Sequence, residues 1–175
     1  DAANEILRTE VLSRLEQKKP VTVVTYPEAL AEKVVSRKRL SDAMLTLKVG
    51  QQEDTVKLME TLSKYGFEHV DYVYEPGQFA LRGSILDVYS FASEYPYRID
   101  FFGDEIDSLR TFEVETQLSK EKKDSICIVP ELSGTEGADI CFLDFVDKDA
   151  TLWVKDLLWV RERIQAVHDE AVSPQ

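Results

Sequence analysis

The sequence predicts an α+β fold: a mostly antiparallel sheet with one main helix, flanked by α/β pieces on either side. Three observations predict it. Residues 78–89 and 96–112 are dense in β-branched and aromatic residues, as strands are. Gly103-Asp104 lies between two such runs and suits a two-residue hairpin turn, because glycine reaches positive φ without strain. Beside these runs stands one strong helical stripe, Val56, Met59 and Leu62, broadened by Leu58 and Tyr65.

In chain order, Asn4 can cap a helix whose Leu7, Val11 and Leu15 share a face, and Lys18-Lys19-Pro20 stops it. Residues 21–25, VTVVT, read as a buried strand. Pro27 opens a second helix through about Val34, at the position where its missing N–H costs nothing. Arg37-Lys38-Arg39 reads as a solvated linker. Leu45, Thr46, Leu47, Lys48 and Val49 alternate as a strand that Gly50 breaks. Glu53 and Asp54 place acids at the positive end of the main helix, and Gly66 can close it in a left-handed cap. Residues 67–74 form the next strand and Pro76-Gly77 a turn. The paired runs follow, with residues 106–114 continuing the hairpin. Residues 120–124 form a charged surface turn, and residues 126–129 a last strand. Leu132 to Gly137 reads as a linker. Residues 140–146 and 151–154 are strand candidates, and Leu157, Val160, Ile164 and Val167 mark a helix to about Ala171.

Composition narrows the function. Hydrophobic residues make up 43% of the 175, enough for a packed core. Twenty-one Lys and Arg against 33 Asp and Glu give a net charge of −12, which opposes sequence-independent binding of nucleic acid. A protein partner with a basic patch, or an arginine contact to an acidic partner, fits better. No run approaches the ~18 apolar residues of a membrane span and no signal peptide opens the chain. Cys127 and Cys141 lie in apolar surroundings and are expected to stay reduced, which fits a cytoplasmic location. The chain starts mid-pattern without an initiator methionine and reads as a fragment of something longer.

No catalytic chemistry is expected. The seven glycines never form a phosphate-binding loop ending in Gly-Lys-Ser/Thr. Asp104-Glu105-Ile106-Asp107 is superficially similar to the acidic Mg²⁺ motif of helicases, but without such a loop it has no nucleotide to serve. His69 and His168 have no Cys or carboxylate at ligand spacing, so neither a metal nor a cofactor is expected.

Alternation sorts residues 97–102 into two faces. Tyr97, Ile99 and Phe101 read as core; Arg98, Asp100 and Phe102 point the other way. A phenylalanine beside an arginine on a polar face has the composition of a protein-binding hot spot. The alternative is that something covers both faces and Phe102 is core.

The runs PGQFALRGSILDVY and YPYRIDFFGDEIDSLRTFEVETQ resemble the UvrA-interaction domain shared by UvrB and the transcription-repair coupling factors. The family pattern is roughly F-x-x-R-G-x-x-[IL]-D-[ILV], then P-x-R-[IL]-[DE]-[FL]-F-[GD]-[DE]-E-[IV]. The second run, with VTVVTYPEALAEKV and LTLKVGQQ upstream, is closer to the coupling factors, and the resemblance covers about residues 20–130. It implies a UvrB domain 2-like fold at residues 41–131. Residues 1–40 would then end the first half of a helicase-like first domain, and residues 132–175 would return to that domain. It further implies a non-catalytic docking module that recruits UvrA to stalled RNA polymerase in nucleotide excision repair. The parent protein would be an ATP-dependent DNA translocase, touching polymerase and DNA only through other parts, with its own domains as further partners. The family's contact residues fall on Arg82, Arg98 and Phe102, while a second UvrB arginine position holds Ala80. Truncating Arg98 or Phe102 is expected to weaken UvrA binding by at least ~2 kcal/mol with little loss of stability. The alternative is a fragment of a UvrB-like excision-nuclease subunit or another DNA helicase or ATPase.

Overall fold

The structure, a computed structural model, describes residues 2–18, 20–132 and 138–172. It is α+β and mostly antiparallel, as the sequence predicts. Its centre is a six-stranded sheet, β3 (Glu68–His69), β4 (Gln78–Arg82), β5 (Ile85–Val88), β6 (Tyr97–Phe102), β7 (Glu105–Phe112) and β8 (Ser119–Lys123), in that spatial order. Only the β3–β4 pair is parallel. Beside it, β2 (Leu45–Lys48) pairs antiparallel with β9 (Ser125–Ile128), Leu45 facing Ile128.

One helix, α4 (Thr55–Lys64), closes the inner face of the sheet. Its Leu58 and Leu62 pack with Leu47, Leu86, Val88, Ile99, Phe101, Ile106, Leu109, Ile126 and Ile128 in one buried cluster. Val56, which the sequence puts on this stripe, is instead exposed. The i,i+4 pair Leu58 and Leu62 sets the face, and Val56 in the first turn falls off it.

α4 starts after Asp54 and closes at Gly66, as the sequence predicts. Asp54 caps it, its Oδ1 accepting from the backbone N–H groups of Val56 at 3.0 Å and Lys57 at 3.2 Å. Gly66 takes φ 83°, with its N–H bonded to Ser63 O and that of Phe67 to Leu62 O, the paired bonds of a Schellman motif. Replacing Asp54 by alanine is expected to lower stability by about 1 kcal/mol, read as a shift of the urea midpoint at unchanged slope.

The β6–β7 hairpin turns at Gly103-Asp104, with Phe102 opposite Glu105 and Gly103 at φ 62°. A bulge between Asp100 and Phe101 shifts the register, and Phe101 and Ile106 both stay in the core.

A second cluster joins the flanking pieces. Leu12 of α1 (Ala2–Glu16), Val34 and Val35 of β1 (Lys33–Val35), Leu40 of α3 (Arg37–Ala43), Val129, and Phe145 of α5 (Phe142–Phe145) pack together. β1 pairs antiparallel with β10 (Ala138–Cys141). α2 (Pro27–Ala31) meets α6 (Leu157–Val172), where Arg163 Nε donates to Glu28 Oε1 at 2.8 Å.

Several local expectations are corrected. Residues 21–25 form no strand, and Val24 is 95% exposed: β-propensity builds a strand only with a ladder partner, and none pairs with it among the described residues. The helix after Pro27 stops at Ala31, because Val34 and Val35 are taken by the pairing with β10. Only residues 68 and 69 of the expected 67–74 strand are extended and paired. The charged segment expected as a turn is β8, an edge strand whose lysines suit a ladder bonded on one side.

Arg37 is no linker residue. It begins α3, and its guanidinium donates to Phe145 O at 2.9 Å, pairs with Glu16 at 3.1 Å and Asp147 at 3.0 Å, and stacks on the Phe145 ring. Of the later strand candidates, β10 ends at Cys141 and residues 142–145 are helical, while residues 151–154 form no strand. The linker expected after Leu132 falls, for residues 133–137, outside the described residues.

Candidate docking face

The outer face of the sheet, opposite α4, carries the polar residues. Strand register places Ala80, Asp87, Arg98, Arg110 and Lys122 in one cross-strand row, and Arg82, Ile85, Asp100 and Ser108 in the next. Half of this face is covered. Val73 is buried with Ala80 and Phe112, and Val70 and Tyr89 pack against them. The end of the face that bears Phe102 is open.

Asp87 organises the face. It is fully buried, between Leu86 and Val88 on β5, and it is paired with both arginines. Arg98 lies directly opposite on β6 and grips it in a fork, Nε to Oδ1 at 2.7 Å and Nη2 to Oδ2 at 2.8 Å. Arg82, diagonal to it across the β4–β5 turn, donates Nη2 to Oδ2. One carboxylate thus satisfies two guanidiniums, as a buried charge requires.

The two arginines differ in what they leave free. Arg98 spends its third edge on Gln117 O at 3.0 Å and lies over the Phe112 ring at 4.3 Å, so its side chain is only 13% exposed. Gln117 holds that carbonyl in place from a left-handed backbone, φ 58°, which few residues other than glycine adopt. The hydrogen bonds it donates to Asp87 raise the Arg98 pKa above its ordinary value, against the opposing effect of burial. Arg82 donates Nη1 to Asp71 O at 3.2 Å and stacks on Tyr72 at 4.9 Å, yet keeps 32% of its side chain exposed.

Phe102 is 83% exposed at the end of β6. Of the two readings the sequence allows, the covered one does not hold. Phe102 shares the outer face with Arg98, four residues or about 13 Å along the strand. Between them Asp100 pairs with Arg110 at 3.2 Å. Three guanidiniums and two carboxylates are thus paired on this face, with Lys122 opposite Arg110 and Glu105 opposite Phe102.

The structure therefore puts the three residues on one face but not in equal positions. Arg82 and Phe102 reach solvent, while Arg98 is largely committed inside the molecule. That commitment corrects the expectation that Arg98 can be truncated with little loss of stability. The sequence reading also missed Asp87 and Tyr72. The signal for Asp87 was a lone carboxylate in the otherwise apolar run Ile85-Leu86-Asp87-Val88. Tyr72 carried no such signal.

Among the described residues no group of three or more His, Cys, Asp or Glu could hold a metal ion, and no helix is long and apolar enough to cross a membrane.

The family model of the UvrB interaction domain matches residues 45–133. The transcription-repair-coupling factor of Escherichia coli (strain K12) is 37% identical over 123 residues, 70% of this chain and 11% of that protein. Those of Haemophilus influenzae and Bacillus subtilis are each 33% identical over 123 residues, again 70% of this chain. The matched stretch is thus about a tenth of the length of these curated relatives.

Proposed function

The chain belongs to the UvrB interaction domain family, and from that premise we propose that it is the module by which a transcription-repair coupling factor recruits UvrA to stalled RNA polymerase. Residues 41–131 are the docking domain. Residues 1–40 and 132–175 belong to a helicase-like first domain of a longer ATP-dependent DNA translocase. Contacts to polymerase and DNA are made by other parts of that parent.

The observation that carries this reading is Phe102, a large apolar ring left 83% exposed on the face that holds Arg82 and Arg98. An aromatic ring beside arginines on a polar face has the composition of a protein-binding hot spot. Arg82, Arg98 and Phe102 form the contact surface. The ring fills an apolar recess, and Arg82 offers its free edge to a carboxylate of the partner. Arg98 contributes its exposed margin and fixes Arg82 through the Asp87 carboxylate that both share.

Titration of the chain with purified UvrA tests it. A complex is expected whose affinity falls as salt rises, because the guanidinium contact is partly solvent-screened. No ATP turnover is expected from the chain alone, with or without DNA. Absence of any complex at low salt would overturn the docking reading, and turnover would favour the helicase or ATPase alternative.

A further inference from the structure

The connection from β3 to β4 crosses the outer face and delivers a second aromatic beside Arg82. Val73 is buried in the outer cluster, and the N–H groups of Tyr74 and Glu75 both donate to Gln78 Oε1, at 2.9 and 3.0 Å. On the other side, the carbonyl of Asp71 accepts from Arg82. The backbone at Tyr72 is pinned from both directions, yet the side chain is 51% exposed and its ring lies against the Arg82 guanidinium. A side chain held in place before binding loses little entropy on binding. Tyrosine and arginine are also the residue types that dominate interface energetics.

Arg82 is then fixed on three sides: Asp87 takes one nitrogen, Asp71 O another, and the Tyr72 ring takes a face. We propose that Tyr72 is part of the docking surface and that it and Arg82 together receive a partner carboxylate lying beside an apolar patch. The proposal rests on the docking reading above and extends its surface from Phe102 to the β3–β4 connection. The occupant is the same protein partner, chosen by charge: Arg82 keeps 32% of its side chain exposed as a cation on a chain of net charge −12, which suits a partner carboxylate.

The test is titration of the chain with UvrA as single and double variants, each first checked by thermal unfolding. Tyr72→Ala is expected to raise Kd about tenfold with an unchanged melting temperature, since the ring supports no core contact. Tyr72→Phe is expected to bind within about twofold of wild type, because the ring is what acts. Tyr74→Ala, equally exposed but with no arginine stacked on it among the described residues, is expected to bind as wild type. The Tyr72→Ala and Arg82→Ala double variant is expected to lose less than the product of the single losses, because ring and guanidinium act as a unit.

Wild-type affinity in Tyr72→Ala alongside a loss in Phe102→Ala would overturn the role of Tyr72 and leave the docking reading standing. So would equal losses at Tyr72 and Tyr74, or losses that simply multiply. Unchanged affinity in both Tyr72→Ala and Phe102→Ala would place the contact on another face and overturn this proposal, whereas only the absence of any complex would overturn the docking reading itself.

Discussion

Replacing Asp87 by alanine is expected to lower folding stability by about 3–5 kcal/mol, the cost of breaking a buried ion pair from one side. Asp87 has no exposed surface, and it neutralises Arg98, whose side chain is 13% exposed. Without the carboxylate, that guanidinium keeps one carbonyl and an aromatic face, neither of which carries a compensating charge. Domains of this size are typically stable by about 5–15 kcal/mol, so the variant is expected to be partly unfolded at moderate urea. Arg98→Ala should fall toward the lower end of the same range, because Arg82 still stands beside the carboxylate. The comparison that isolates burial is Asp100→Ala. Asp100 and Arg110 also form an ion pair, but both are about 30% exposed, so its loss is expected to cost within about 1 kcal/mol. Equilibrium unfolding in urea measures all three. Equal small losses at Asp87 and Asp100 would show that the pair does not bear on the fold.

The second large effect is on binding. Phe102→Ala is expected to weaken the UvrA complex by about 2 kcal/mol or more, roughly thirtyfold in Kd, while the melting temperature stays that of wild type. The ring is 83% exposed and belongs to no buried cluster, so truncation removes no internal packing. A loss of affinity in a fully folded variant is then assignable to the interface. The same cannot be said of Arg98→Ala, whose binding loss would mix contact with unfolding. Calorimetric titration next to a thermal melt separates the cases, and wild-type affinity in Phe102→Ala would remove the ring from the surface.

Legibility in the sequence followed how local each signal was. The Gly103 turn, the acidic start of α4 at Asp54 and its close at Gly66 are decided within a few residues, and they stand where the sequence places them. The alternation of β6 sorted Ile99 and Phe101 from Arg98 and Phe102 correctly. Residues 21–25 have the composition of a strand, but a ladder needs a partner, which composition does not supply. Residues 119–123 failed in reverse: their lysines look like loop, yet β7 offered an open edge and they paired with it.

By itself the sequence determined the fold class, the family and the face on which Arg98 and Phe102 sit, because periodicity and motif order are properties of one strand at a time. Only the tertiary structure decided which of those side chains is free. Asp87, Arg82 and Arg98 come from three strands, and their ion pairs depend on register across the sheet. Exposure likewise depends on what lies over a residue. The connection bearing Val73 covers one half of the outer face and leaves Phe102 in water, and no single strand encodes where that cover ends.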